Sequence, residues 1–302
     1  MSTHSTALAV IITAVQDLCQ EADVDEDIRP GPEANYPNSL LITILILKSL
    51  FSFSSESSFL RYLEQHHIQY FPKLPERSWF NRKAKKLVAK EKMIHHLLLE
   101  KLEVQDVQIR IIDTTGIPVV KLHRARTCRS FKKNAEVNFG YCASKDTYYY
   151  GQKLTLSVTP QGIPTGHILT PANLHDVRAL KENLSGIGSE FVGKTVVADK
   201  GYYDGELETT LKQDFNSRLV VPEKKRHQRK NSEYDKKLLK GRQIIETVNE
   251  QLQDQMLIDE TRAKSQPGLV SRIQAILLSF TFGMYFNMLQ GRNLLALKSI
   301  VI

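Results

Sequence analysis

The chain has 302 residues, of which 41% are hydrophobic and 25% charged, the make-up of a globular protein with room for one large domain and a smaller one. Its net charge of +8 points to a polyanionic partner, while Cys19, Cys128 and Cys142 lack the count and spacing of a disulfide framework or a zinc site. No signal peptide is expected, and the apolar runs Leu40–Leu47 and Ala275–Tyr285 are too short or too interrupted for membrane spans, so buried helices are expected there.

The charge is unevenly spread. The first 36 residues are acidic, and the basic excess falls in Arg77–Lys92, Lys121–Lys133 and Lys224–Arg242. Thr6–Leu18 has helical periodicity and ends before the break Pro30-Gly31-Pro32. A second helix, Leu40–Phe51, capped by Asn38 or Ser39, is apolar nearly all round and belongs in the centre of a helical subdomain. Ser57–His66 reads as a short helix. Ser78 then starts a long one reaching Leu102, with a stripe of Phe80, Leu87, Val88, Ile94, Leu97 and Leu98. Lys83, Lys85 and Lys86 lie on its other side, where they would be solvated or lie along DNA phosphates.

From Val107 the character changes. Val107, Ile109, Ile111 and Ile112 are β-branched, and the strand they mark runs into Asp113, a charge that a core does not accept unpaired and that is therefore either a turn-former or a metal ligand. Tyr148–Val158 and Ile163–Thr170 are strands joined by Thr159-Pro160-Gln161-Gly162, and Asn173–Ile187 is a helix. A short strand, Thr195–Ala198, ends in Asp199. A helix near Gly205–Lys212, the strand Arg218–Val221 and the helix Gln243–Ile258 follow. This order suits an α/β fold with a ribonuclease-H-like mixed five-stranded sheet and flanking helices, preceded by an all-α subdomain.

Asp113 and Asp199 both leave apolar strands, and neighbouring parallel strands would bring them to one sheet edge, where α/β folds bind ligands. On the last helix Ile245, Val248, Leu252 and Met256 form the core stripe, and Arg242, Glu246, Asn249 and Gln253 a polar stripe beside it. Packing that helix on the sheet would carry Glu246 towards the aspartates. Three carboxylates converging without histidine or cysteine would form a hard oxygen site, suited to Mg²⁺ or Mn²⁺ and to phosphoryl transfer, whereas spacing alone is equally met by three unrelated surface acids.

Ile111-Ile-Asp-Thr-Thr, Tyr150-Gly-Gln-Lys-Leu, Leu169-Thr-Pro-Ala-Asn with Asp176, Ala198-Asp-Lys-Gly-Tyr and Arg242-Gln-Ile-Ile-Glu-Thr-Val-Asn-Glu-Gln-Leu resemble the DDE-type transposases of bacterial insertion sequences. The last motif most resembles the branch called insertion-sequence family 982. The resemblance implies that Asp113, Asp199 and Glu246 are the catalytic metal ligands, that they hold two Mg²⁺ ions with Mn²⁺ as the alternative, and that Arg242 contacts DNA. Gln253 stands where related enzymes carry a lysine that holds the DNA end, and Leu239 replaces a tyrosine seen in some relatives.

The implied function is metal-dependent cleavage of double-stranded DNA at terminal inverted repeats and strand transfer into target DNA. A homodimer on DNA, a bacterial cytoplasm and no membrane partner are implied with it. Residues 1–104 would form a helical domain for DNA-end binding or dimerisation, and 105–302 the catalytic domain with its C-terminal helices. Lys200, Lys83, Lys85 and Lys86 join Arg242 and Gln253 as candidate DNA contacts. The alternatives are a catalytically inactive DNA-binding descendant and a nuclease or resolvase without strand transfer.

Overall fold

A computed structural model describes residues 3–26, 36–131, 136–142, 146–223 and 230–300. Two compact units divide the chain: Met1–Leu102 with Leu252–Ile302, and Glu103–Gln251.

The first unit is helical, built from α1 (Thr3–Glu21), α2 (Asn38–Leu50), α3 (Glu56–His66), α4 (Arg77–Ala84), α5 (Val88–Lys101) and α11 (Gln266–Leu289). Leu41, Ile42, Ile44, Ile46 and Leu47 of α2 are all fully buried, as its apolar circumference requires. Neither expected cap acts on α2: Pro37 is the N-cap residue, the Asn38 amide donates to the Val24 carbonyl, and Asp25 accepts from the Ser39 N–H. The long helix expected from Ser78 to Leu102 is two. Glu76, not Ser78, caps α4, and the chain tightens at Lys85–Leu87, where the Lys86 and Leu87 N–H groups bond three residues back to Lys83 and Ala84.

Helix α11 is long and apolar enough to cross a membrane, but 83% of its most apolar window is buried within the protein. It packs on α2 and α5. A helix without a polar face needs neighbours on every side, and other helices supply them. The C-terminal helix therefore groups with the N-terminal helices, whereas the sequence had assigned it to the 105–302 domain.

The second unit is a mixed α/β structure. Its sheet contains β1 (Ile109–Val120), β2 (Asn138–Cys142), β3 (Thr147–Val158), β4 (Pro164–Pro171), β5 (Thr195–Val197) and β6 (Arg218–Val220). β1 lies centrally, antiparallel to β3 and parallel to β5, which is parallel to β6. β2 and β4 share the outer edge of β3 end to end, β2 along Thr147–Gly151 and β4 along Gln152–Val158. Six strands thus replace the expected five. β2 is the addition.

Helices α6 (Asp176–Glu182), α7 (Leu184–Ile187) and α8 (Gly205–Phe215) stand where the sequence suggested one helix over 173–187 and a second near 205. Leu180, Ile187, Leu207 and Leu211 pack with Ile112, Val196, Ala198 and Tyr202 in one core cluster. Helices α9 (Glu233–Gly241) and α10 (Gln243–Asp254) follow, while residues 224–229 of the basic run fall outside the described residues.

One core position of the helical unit is poorly matched to its surroundings. Glu91 of α5 is fully buried, neither carboxyl oxygen has a partner among the described residues, and burial pushes its carboxyl up to about 8. The unfolded chain releases this proton near pH 4.5, whereas the folded chain keeps it to about pH 8. Stability from this group is therefore complete below the unfolded value and falls as pH rises through that window, by up to about 1.4 kcal/mol per pH unit. Melting temperatures at pH 5 and pH 8 should show a smaller decrease for Glu91→Gln than for the native chain.

Candidate active site

β1 delivers Asp113, though not as expected. The residue does not end the strand: β1 continues to Val120, with Asp113 opposite Leu156 of β3. What ends nearby is the partner on the other side, since β5 pairs with β1 only as far as Ile111↔Val197. Two residues beyond Val197 comes Asp199, half-buried, whose carboxylate accepts from the Lys200 N–H at 2.6 Å. The parallel pair thus brings both aspartates to the same end of the sheet.

The site is electrostatically crowded. Burial pushes the Asp113 carboxyl up to about 6; the Thr114 N–H and the Arg242 guanidinium oppose this, and the Asp176 and Asp199 carboxylates add to it. Asp176 opens α6 and is tied by Lys153, whose Nζ lies 2.8 Å from Oδ1 and also donates to the Leu174 carbonyl. Behind Asp113 on the opposite face, Tyr202 Oη and Thr155 Oγ1 lie 2.6 and 2.8 Å from Thr114 Oγ1, and the buried tyrosine hydroxyl is held well above its ordinary pKa.

α10 buries Ile245, Val248 and Leu252 completely and presents its polar stripe alongside. Asn249 Nδ2 reaches Asp113 Oδ2 at 3.4 Å, and the buried Asn249 Oδ1 has no partner among the described residues. Arg242 lies within electrostatic range of Asp113 and binds Glu246 Oε1 at 3.0 Å. The structure therefore gathers Asp113, Asp199, Asp176 and Arg242, with Glu246 attached through the arginine. Among the described residues, no three of the histidine, cysteine, aspartate and glutamate side chains converge tightly enough to hold one ion.

A family model for the transposase DDE domain matches residues 103–266, more than half of the chain and beginning where the α/β unit begins. The chain belongs to the DDE transposase family. Its fold is also similar to that of a piggyBac transposase in a synaptic complex with hairpin DNA, solved by cryo-electron microscopy. The two share 10% identity and a TM-score of 0.49, over 100% of this chain and 79% of that one. No curated protein matches the sequence.

Asp113, Asp199 and Glu246 carry only oxygen donors, the type a hard divalent cation prefers, and the buried Asn249 Oδ1 is a neutral oxygen near Asp113, but Glu246 is held by Arg242 and the three carboxylates are not drawn together into one ion site. Lys200 is exposed next to Asp199, and Gln253 is half-buried near the end of α10. Lys83, at the end of α4, and Lys85 and Lys86, in the turn after it, belong to the helical unit.

Asp176 stands in the motif that carries the family resemblance, but from sequence it reads first as a helix-opening carboxylate favoured by the dipole. Asn249 was visible only as a member of the polar stripe, and its approach to Asp113 depends on how α10 packs.

The crowding has a measurable consequence. Asp113→Asn keeps an oxygen for the Asn249 donor while removing a charge that burial and two neighbouring carboxylates disfavour. Its melting temperature in metal-free buffer at pH 8 should equal or exceed that of the native chain.

Proposed function

We propose that this chain is an active transposase of the insertion-sequence family 982 branch, cutting double-stranded DNA at terminal inverted repeats and joining the freed 3′ ends to target DNA. The observation that carries this reading is Asp113 on the central strand, one strand from Asp199, with Arg242, Glu246 and Asn249 on one stripe of α10. The strand order β4-β3-β1-β5-β6, antiparallel up to β1 and parallel beyond it, supports a ribonuclease-H-like sheet with β2 added at its edge.

Asp113, Asp199 and Glu246 are the residues that would hold Mg²⁺, with Mn²⁺ as the alternative. The ion supplies activation of the attacking oxygen and charge neutralisation at the leaving one. The residues around it position the reactants. Asn249 fixes the rotamer of Asp113 by its hydrogen bond. Glu246 must turn away from Arg242 to join the aspartates, and that movement frees a guanidinium whose fork suits a phosphate. Lys200, beside Asp199, and Gln253, further along α10, would contact the DNA backbone. Lys83, Lys85 and Lys86 add phosphate contacts from the helical unit. Two ends cut and joined together call for two copies of the chain, hence a homodimer on DNA.

The test is cleavage and joining of duplexes carrying the inverted repeats that bracket the reading frame. Asp113→Asn, Asp199→Asn and Glu246→Gln should each abolish Mg²⁺-dependent nicking and joining while leaving DNA binding intact, since each removes a charged ligand and none removes a cation. Native cutting rates in any of the three would overturn the assignment. Cutting without joining of a pre-cut 3′ end would identify a nuclease instead.

Replacing Lys83, Lys85 and Lys86 together by glutamine should weaken DNA binding and flatten its salt dependence. The slope of log K against log salt falls by about 0.9 for each phosphate that the protein no longer neutralises. Fluorescence titration at several salt concentrations measures it.

A further inference from the structure

β2 and the first half of β3 form a two-stranded hairpin whose aromatic side chains meet in pairs. Phe139 is the Cα partner of Tyr150, and Tyr141 of Tyr148. Each pair brings its ring centroids to 5.0 Å, tilted by 57° and 52°. Directly opposed residues in an antiparallel ladder share a face, and so do residues two apart along a strand. The four rings therefore make a two-rung ladder on one face. It is not core: Phe139, Tyr141 and Tyr148 are 45%, 48% and 63% exposed. Contiguous exposed rings of this kind on an edge strand mark a binding surface.

The charge beside the ladder identifies what it binds. β1 leaves the sheet at Val120, the partner of Tyr150, and continues into the 3₁₀ segment Leu122–Thr127, which packs on β3. Lys121, Arg124, Arg126 and Arg129 are exposed there, and none of them has an ion-pair partner among the described residues. The hairpin's described acid, Asp146, is already engaged by the Tyr141 hydroxyl at 2.5 Å. A second copy docking through the same face would bring these like charges together. Aromatic rings flanked by unpaired cations instead match single-stranded nucleic acid, in which bases stack on rings and the backbone follows the charge. The rungs are two residues apart, roughly 6.6 Å along the strands. That is about twice the 3.4 Å rise between stacked bases.

The ladder also faces the right way. Tyr148, Tyr150, Gln152, Leu154 and Leu156 alternate onto one face of β3, and Leu156 is opposite Asp113. Six residues separate Leu156 from Tyr150, roughly 20 Å at 3.3 Å per residue. Gln152, Leu154 and Leu156 between the two are fully buried, so a strand held at Asp113 would pass around this covered stretch and reach the first rung at least about six nucleotides away, at 3.4 Å per nucleotide.

We infer that the Phe139/Tyr150 and Tyr141/Tyr148 ladder is a stacking site for unpaired nucleotides of the DNA strand that leaves the active site, an inference that rests on the DNA-processing function proposed above. The experiment compares the full-length chain and Tyr141→Val/Tyr148→Val on two probes: a blunt duplex, and the same duplex with an eight-nucleotide single-stranded 3′ overhang containing 2-aminopurine. The native chain should prefer the overhang at least tenfold and quench its fluorescence by stacking. The valine pair, which keeps strand propensity, should lose both the preference and the quenching, with blunt-duplex affinity changed less than twofold. Tyr141→Phe/Tyr148→Phe should retain both, which separates loss of stacking from loss of folding. Unchanged overhang preference and quenching in the valine pair would overturn the inference, as would a native chain that binds both probes equally. So would a valine pair that changes only the sedimentation of the free protein, which would make the ladder a protein contact. If the native chain binds neither probe, the DNA-processing reading fails as well; blunt-duplex binding with Mg²⁺-dependent cutting but no ladder effect removes this inference alone.

Discussion

The α/β unit depends on the pairing of β1 with β3. Nine residues of β1, from Ile111 to Val120, find partners on β3, and their register sets what each face of the sheet carries. A slip of one residue would send Asp113 to the face occupied by Ile112 and its helix-packed cluster, and Ile112 to the face of the acidic site. Close approach of the two backbones helps hold the register. A Cβ at Gly151 would lie 2.0 Å from the Ile117 carbonyl oxygen, next to the irregularity between Pro118 and Val120. Only glycine fits that contact, and it stands where β3 passes from its β4 partner to its β2 partner.

Around that frame the domain keeps charge where stability alone would not. Asp113, Asp176 and Asp199 repel one another at the end of a buried sheet, with Lys153 and Arg242 as partial compensation. Such a group of carboxylates makes sense as a place for cationic ligands. The Tyr202–Thr114–Thr155 contacts behind it stiffen the strand that carries the first aspartate.

Much of this was legible in the chain. Runs such as Ile109–Ile112 and Thr195–Ala198 could hardly be anything but buried strands, and an aspartate after each pointed to one sheet edge. The turn Thr159–Gly162 fixed the β3–β4 hairpin, with Thr159 Oγ1 receiving the Gln161 and Ile163 N–H groups. What escaped was set by tertiary context. No proline or glycine marks the tightening at Lys85–Leu87, so nothing local separates α4 from α5. β2 is short, and its exposed aromatics disguise the alternation of a strand. Helix α11 is apolar on every side, and a pattern without a face cannot say which neighbour it packs against. The Asn249–Asp113 contact joins residues 136 positions apart and follows from packing alone.

The path of the chain through its two units has a consequence for biosynthesis. The helical unit is discontinuous, opened by the first hundred residues and completed only by Leu252–Ile302. Helix α2 emerges from the ribosome long before α11, the partner that covers part of its apolar surface. At roughly 5–20 residues per second, more than two hundred residues separate the two, an interval of at least about ten seconds. The α/β unit between them is continuous and can close on itself as soon as it has been made. The enzyme's middle thus has a route to folding before its beginning does, and the nascent N-terminal helices are the part of the molecule that most needs shielding from aggregation.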